Sequence, residues 1–259
     1  MTTHHQHSYI TAVPVYKATP SKIEAYSLLQ LRLLNVENVT LACPEGLDIG
    51  MYLNLWPDLK VQRFAPEHFV SVKSYNDLVI SPDFYYPFAS TYEYLLIYQL
   101  DAFLLTNQIT AFCELGYDYY GAPWLTGFSQ YRFFLNRWPL RLHTKRFYVG
   151  NGGLSLRKIS STIDLLNRKR GHASKTFFME DAFFGYWGSI DPHFHACPLE
   201  IAARFSLEAH PEHWLQITGA LPMGFHGFEV WDQDFYPPLL LKAYATLSNA
   251  FPELENLKN

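Results

Sequence analysis

The chain has 259 residues and a formal net charge of −4, so it is long enough to bury a full core but lacks the positive charge typical of nucleic-acid binding. Hydrophobic residues make up 49% and charged residues 17%, a composition that excludes general disorder. The three cysteines, Cys43, Cys113 and Cys197, are far apart and lack CxxC spacing, which indicates neither a disulfide framework nor a zinc site. We therefore expect a soluble protein of the reducing cytoplasm with no nucleic-acid partner.

The first residues contain no apolar segment of the signal-peptide kind, and no stretch approaches the roughly 18 uninterrupted apolar residues of a membrane span. We expect residues 1–8, which include His4, His5 and His7, to form a disordered, solvated tail. Residues 9–259 are expected to form a single domain, since no linker-like segment divides them. Membrane association, if any, is expected to be peripheral and at the inner face.

The first hundred residues alternate between strand-like and helix-like patterns. Strands are predicted at residues 9–17, 39–44, 60–64 and 94–105, and helices at residues 21–34 and 74–80. Ser21 stands where a helix N-cap belongs. A strand, helix, strand order predicts an α/β domain whose central sheet is mixed but mostly parallel and is flanked by helices.

The second half begins with a short helix predicted at residues 107–116, with Asn107 as its cap and Gly116 at its end. Residues 117–148 are rich in aromatics and lack a clean period. The basic loop at 130–147 contains Arg132, Arg137, Arg141, Lys145 and Arg146 and no carboxylate. It is either a solvated loop or a flexible lid that meets an anionic ligand. Order is expected to return with a helix near residues 159–169 and another that starts within 178–187.

Asp101 is the first residue to consider for chemistry, because it interrupts the apolar run at 94–105. Burying an unpaired charge is costly, so Asp101 either sits where the strand emerges or has a cation beside it. Asn151, Gly152 and Gly153 permit a tight turn and close approach by a ligand, although a simple turn is the alternative.

Glu180 and Asp181 are adjacent carboxylates that point in different directions in any regular structure. One can enter a cleft while the other meets an arginine, or both can stabilise a helix N-terminus. Trp124 can stack on a sugar or fill the core. His226, which lies close to two glycines, can be a core histidine or a ligand.

Taken in this order, four segments resemble the nucleotide-sugar-dependent glycosyltransferases of the GT-A fold. They are YLLIYQLDAF at 94–103, GAPW at 121–124, VGNGGLSLR at 149–157 and the pair Glu180–Asp181. The chain is more closely similar to a bacterial and fungal family of GT-A-like domains of unknown function, over roughly residues 9–231. The resemblance implies a GT-A-like fold and transfer of a sugar, foremost from a UDP-sugar, to a hydroxyl of a glycan or lipid-linked acceptor, as in bacterial surface glycan synthesis.

The resemblance also implies roles for residues of this chain. Gln99-Leu100-Asp101 matches the Asp-x-Asp motif of GT-A enzymes but retains only the final carboxylate. Asp101 and His226 are accordingly expected to hold Mn²⁺ or Mg²⁺. Asp181 is the expected general base of an inverting transferase, with Glu180 as the second candidate.

The remaining expected site residues bind donor and acceptor. Val13 and Tyr16, near the end of the first strand, fall where GT-A domains seat the nucleotide. The residues expected to shape the sugar site are Gln99, Trp124, Asn151, Gly152 and Gly153.

Two other functions stay open. A glycoside hydrolase would use Asp101 and Asp181 as its two carboxylates, about 5–10 Å apart, and would need neither metal nor nucleotide. A non-catalytic carbohydrate-binding domain derived from a transferase would explain why Gln99 replaces the first Asp of the motif.

Overall fold

The computed structural model of the protein describes residues 8–129, 146–169, 179–232 and 234–256. Most of the predicted basic loop, residues 130–145, lies outside these ranges, as do residues 1–7 of the predicted tail. Ser8, the last residue assigned to that tail, is held by backbone hydrogen bonds that the amides of Glu93 and Tyr94 donate to its carbonyl. No helix of the described ranges is long and apolar enough to cross a membrane.

Eleven strands are found in the described ranges: β1 Tyr9–Pro14, β2 Val39–Pro44, β3 Lys60–Phe64, β4 Tyr94–Tyr98, β5 Ala102–Leu104, β6 Tyr119–Tyr120, β7 Ala122–Phe128, β8 Phe147–Gly150, β9 Leu154–Lys158, β10 Ser206–Leu207 and β11 Gly224–His226. The α-helices are α1 Lys22–Leu33, α2 Gly50–Leu55, α3 Val72–Val79, α4 Ile109–Glu114, α5 Ile159–Lys169, α6 Glu180–Ile190, α7 Leu199–Phe205, α8 Pro211–Thr218 and α9 Tyr236–Ala250. Three short 3₁₀ segments are Pro66–Phe69, Pro82–Phe84 and Pro252–Asn256.

The main sheet has six strands in the order β3-β2-β1-β4-β9-β6. Neighbours from β3 to β4 pair in parallel, whereas β9 is antiparallel to both β4 and β6. This confirms the predicted α/β fold with a mixed, mostly parallel central sheet. The inner strands β1, β2 and β4 are buried at nearly every position, which is typical of a sheet covered on both faces.

Helix α1 begins where the sequence predicts. The Ser21 hydroxyl accepts a hydrogen bond from the Glu24 amide at 3.3 Å, and a Glu24 carboxylate oxygen accepts one from the Ser21 amide at 2.6 Å. This reciprocal capping box satisfies two backbone amides at the helix start. It also fixes the Glu24 side chain at the mouth of a cleft described below.

The prediction of one strand over residues 94–105 is wrong. The run forms two strands, β4 and β5, separated by a turn at 99–101 in which the Ala102 amide donates to the Gln99 carbonyl at 2.9 Å. After the turn the chain leaves the main sheet, because β5 pairs antiparallel with β11 in a second sheet of order β10-β11-β5. The two polar residues in the apolar run therefore mark a change of sheet.

The prediction of a helix capped by Asn107 is also wrong at its start. Helix α4 begins at Ile109, and Gln108 is its N-cap without a side-chain hydrogen bond. The Asn107 amide group instead donates to the carbonyls of Leu34 and Asn35, both at 3.3 Å. A tertiary contact to the end of α1 thus replaces the local cap.

Candidate functional site

A cleft of about 610 Å³ opens at the carboxyl ends of β1 and β4. The chain reverses its direction of sheet growth between these neighbours, since β2 and β3 lie on one side of β1 and β4 lies on the other. Such a switch point is where open α/β sheets bind ligands. The lining residues are Pro14, Val15, Tyr16, Lys17, Glu24, Tyr52, Phe69, Val70, Ser71, Val72, Tyr75, Asn76, Gln99, Leu100, Asp101 and Glu229.

Asp101 and Gln99 line this cleft, and both contact the ring of His226, which is not itself a lining residue. His226 ends β11, and its backbone register opposite Ala102 places its ring beside the turn that joins β4 to β5. The ring nitrogen Nε2 lies 3.1 Å from Asp101 Oδ1 and 3.2 Å from Gln99 Oε1. The other ring nitrogen, Nδ1, lies 3.5 Å from Glu208 Oε1. The imidazole is thus held between two carboxylates and an amide oxygen.

The two carboxylates set the charge of His226. Burial alone would lower the pKa of its imidazole, but Asp101 and Glu208 raise that pKa to about 9. Burial likewise opposes ionisation of Asp101, yet its hydrogen bond and attraction to His226 bring its pKa below the usual value. At neutral pH the pair is therefore an imidazolium and a carboxylate.

The segment 151–153 directly precedes β9 of the main sheet and packs against the ring of His226. Asn151 has a positive φ of 72°, and its side-chain oxygen accepts from the Gly153 amide at 3.0 Å. The Gly153 carbonyl in turn accepts from the Gln99 amide at 2.8 Å. A Cβ on Gly153 would overlap His226 Nε2, so only glycine lets the backbone pass this close to the ring.

Beneath this segment lies a buried ion pair. Arg157, on β9, is fully buried and donates to Glu180 Oε2 at 2.6 Å, with further hydrogen bonds to Tyr85 and Ser155. Its guanidinium also lies 4.4 Å from the ring centroid of Phe184. A Cβ on Gly152 would overlap Glu180 Oε1. Glu180 is thereby fixed between an arginine and a glycine backbone.

Asp181, the next residue, has a different environment. It is half-buried, and its Oδ1 accepts a hydrogen bond from the amide of Ala182 at 2.6 Å. Burial, followed by the neighbouring charge of Glu180, raises the pKa of Asp181 to about 7. Glu180 is committed to Arg157, whereas Asp181 has a pKa suited to general-base work near neutral pH.

Not all residues predicted to bind donor or acceptor line the cleft. Tyr16 and Gln99 do, and Tyr16 is 65% exposed, whereas Asn151, Gly152 and Gly153 are not among the lining residues. Val13 lies in the core, and the cleft lining begins one residue later. Trp124 packs on Phe147 and Phe128 and over Gly150, away from the lining residues.

Sequence reasoning missed several residues of the site. Lys17 and Glu24 line the cleft and form an ion pair, while Glu208 contacts His226. Arg157 lies in the quoted motif VGNGGLSLR, where a charge in an apolar strand was the available signal of a buried partner. Glu208 directly follows β10, where the sequence contains no motif that would indicate a site residue.

Three donor atoms beside the cleft have separations of the kind found between adjacent ligands of a divalent cation. Asp101 Oδ1, His226 Nε2 and Gln99 Oε1 are separated by 3.1 and 3.2 Å along two edges. Adjacent ligands of an octahedral ion with bonds of about 2.1 Å stand roughly 3 Å apart. The described residues contain no group of three or more His, Cys, Asp or Glu side chains placed to bind a metal, so the third donor would be the amide. Binding would require His226 to release its proton.

Comparisons with known proteins identify one matching family and several solved structures with a similar fold. The model of a family described as "Protein of unknown function (DUF5672)" matches residues 58–226. No curated protein matches the chain by sequence. Among solved structures, the galactosyltransferase LgtC in complex with donor and acceptor sugar analogs is similar with a TM-score of 0.57 at 9% identity, covering 93% of this chain and 95% of that one.

A second similar structure is the apo form of mouse xyloside xylosyltransferase 1, with a TM-score of 0.50 at 14% identity, covering 85% of this chain and 97% of that one. At these identities the likeness shows the fold, which is that of the GT-A glycosyltransferases.

The contact between Gly152 and Glu180 predicts the effect of adding one methyl group. In Gly152→Ala the new Cβ would displace the Glu180 carboxylate from Arg157. Breaking a buried ion pair costs about 3–5 kcal/mol, so we expect the free energy of unfolding, measured by urea denaturation, to fall by that order. Gly50→Ala is the matched control: its Cβ meets the exposed Asp48 side chain at 3.2 Å, and its stability should change by less than about 1 kcal/mol. An unchanged urea midpoint for Gly152→Ala would contradict the packing described here.

The raised pKa of Asp181 predicts a pH-dependent stability. Because the folded pKa is about 7 and the unfolded one about 3.9, folded Asp181 keeps its proton where the unfolded chain has lost it. Its stabilising contribution is therefore full below about pH 4 and is lost as the pH rises towards 7. Asp181→Asn, which cannot ionise, should be more stable than wild type at pH 8 and equally stable near pH 4 in urea denaturation. The exposed Asp164→Asn should match wild type at both, and a less stable Asp181→Asn at pH 8 would overturn the assignment.

Proposed function

The chain belongs to the DUF5672 family of proteins of unknown function, and we propose that it is a glycosyltransferase that moves a sugar from a nucleotide-diphosphate sugar to an acceptor hydroxyl. One observation carries the proposal. At the switch point of a GT-A fold, Asp101 and Gln99 line the cleft, and both contact Nε2 of His226 directly behind it. A binding site for a diphosphate and its counter-ion needs such a group of donors.

The charge of the cleft favours a metal-assisted reaction. Three carboxylates, those of Glu24, Asp101 and Glu229, are among its lining residues, together with Lys17. A diphosphate brought into this field needs added positive charge. Mn²⁺ or Mg²⁺ held by Asp101, His226 and Gln99 would supply it, stabilising the negative charge that develops on the leaving diphosphate.

Asp181 is the proposed general base. Its pKa of about 7 lets it accept a proton from the acceptor hydroxyl under neutral conditions. Glu180 does not share this role, because it is buried and its Oε2 is occupied by Arg157 at 2.6 Å. Asn151 supports the site indirectly, since its side chain accepts from the Gly153 amide and so shapes the turn beside His226.

Nucleotide binding tests the proposal first. We expect UDP, or failing it GDP or CMP, to raise the melting temperature in a thermal-shift assay with Mn²⁺ or Mg²⁺ and to lose this effect with chelator. Asp101→Asn removes a carboxylate ligand, so the nucleotide concentration that gives the same metal-dependent shift should rise at least tenfold. A change of this size corresponds to the loss of about one hydrogen bond to a charged group. Asp58→Asn makes the same charge change at an exposed residue in a turn and should leave the nucleotide-induced shift unchanged.

Absence of any nucleotide effect would contradict the transferase proposal. If soluble sugars still raised the melting temperature, the hydrolase or the carbohydrate-binding module would replace it.

The stereochemistry of the product tests the role of Asp181. A base that activates the acceptor for direct attack opposite the leaving diphosphate gives a product whose anomeric configuration is inverted relative to the donor. The anomeric proton coupling in the NMR spectrum of the fresh product should show this inversion. Asp181→Asn should abolish turnover while nucleotide binding persists. A product of retained configuration would remove Asp181 from the role of base.

A further inference from the structure

Lys17 is the only Lys or Arg among the described residues that line the cleft. It follows β1 by three positions, on the loop that forms one wall of the cleft, and the turn 99–101 after β4 forms the adjacent wall. The carboxylates of Glu24, Asp101 and Glu229 line the same space. A single ammonium group in an acidic cleft is a candidate for contact with an anionic ligand.

The Lys17 side chain is held by one partner. Its Nζ lies 2.7 Å from Glu24 Oε2, and its side chain remains 41% exposed. The loop backbone is fixed separately, because the Tyr52 hydroxyl donates to the Lys17 carbonyl at 3.1 Å. The ammonium group can therefore change partners by side-chain rotation while the loop stays in place.

Glu24 does not depend on Lys17. The same Oε2 atom accepts the Ser21 amide at 2.6 Å in the capping box of α1. If Lys17 moved away, the Glu24 carboxylate would keep its hydrogen bond and its favourable position at a helix N-terminus. A partly exposed ion pair contributes little to stability, so exchanging it for a stronger partner costs little.

The geometry points to Lys17 as a phosphate-binding residue of the donor site, with Glu24 as the intramolecular competitor that the phosphate displaces. This inference rests on the proposed function, since it takes the cleft to bind a nucleoside diphosphate. A diphosphate carries at least two negative charges whereas the Glu24 carboxylate carries one, so Lys17 would gain by the exchange. An incoming anion would then have to attract Lys17 more strongly than Glu24 does.

Two variants with opposite expected effects test this. Lys17→Gln removes the ammonium group and should weaken UDP and inorganic pyrophosphate binding about tenfold in isothermal titration calorimetry at constant Mn²⁺. Glu24→Gln removes only the competing charge, because glutamine also completes a capping box, and should tighten both about two- to fivefold. Uridine has no phosphate, so its affinity should be the same in all three proteins.

Lys22→Gln is the matched control. It makes the same charge change five residues away, at the first position of α1 and outside the cleft lining, and should bind UDP like wild type. Lys17→Arg should restore most of the affinity that Lys17→Gln loses. Equal losses in Lys22→Gln and Lys17→Gln would reduce the effect to long-range charge and overturn the inference.

Other results overturn it in ways that separate it from the proposed function. Wild type that binds UDP no better than Lys17→Gln removes the Lys17 role and leaves the transferase proposal standing. An unchanged or weakened affinity in Glu24→Gln removes the competitor role. Loss of uridine binding in Lys17→Gln would show a structural effect on the loop. Failure of wild type to bind UDP, GDP and pyrophosphate alike would overturn the inference and the transferase proposal together.

Discussion

The ion pair between Arg157 and Glu180 is the constraint on which the rest of the site depends. A guanidinium with no exposure is tolerated only when its donors are satisfied, and here Glu180, Tyr85 and Ser155 accept from it. Meeting that demand brings the start of α6 against the main sheet. The carboxylate then occupies the space over residue 152 that any side chain would need, so the turn before β9 is made of glycine. The position of this turn fixes the backbone that meets Gln99 and His226.

The two neighbouring carboxylates at the start of α6 receive opposite electrostatic environments from this arrangement. Glu180 forms an ion pair with Arg157 at 2.6 Å, and its proximity adds to the burial that raises the pKa of Asp181 to about 7. Adjacent positions in sequence thus give one group that holds structure and one that can exchange a proton. Glu24 combines two such tasks in one side chain: it caps the start of α1 and forms an ion pair with Lys17 in the cleft.

Much of the scaffold follows from local sequence patterns, and most of the site does not. The strands β2 and β3 and the helix α5 have the bounds that the sequence predicts, because continuous apolar runs and helical spacing are local signals. The break after β4 escaped prediction, since Gln99 and Asp101 look like interruptions of a strand until β11 is present to pair with β5. Asn107 caps no helix because its partners, at the end of α1, lie over 70 residues away in sequence. Lys17 became visible as a site residue only through its place in the cleft lining, and Glu208 only through its contact with His226.

The change of sheet at residues 99–101 has a consequence for how this site can vary. A main-chain hydrogen bond holds each end of the turn: the Gln99 amide donates to the Gly153 carbonyl, and the Asp101 carbonyl accepts from the Gly227 amide. Neither bond depends on which side chain stands at 99 or 101. A change of side chain there would alter the contacts to His226 but would leave these two main-chain bonds in place. The turn therefore accommodates either an acidic residue or glutamine at position 99. The chemistry of the side chain can change here while the path of the main chain stays the same.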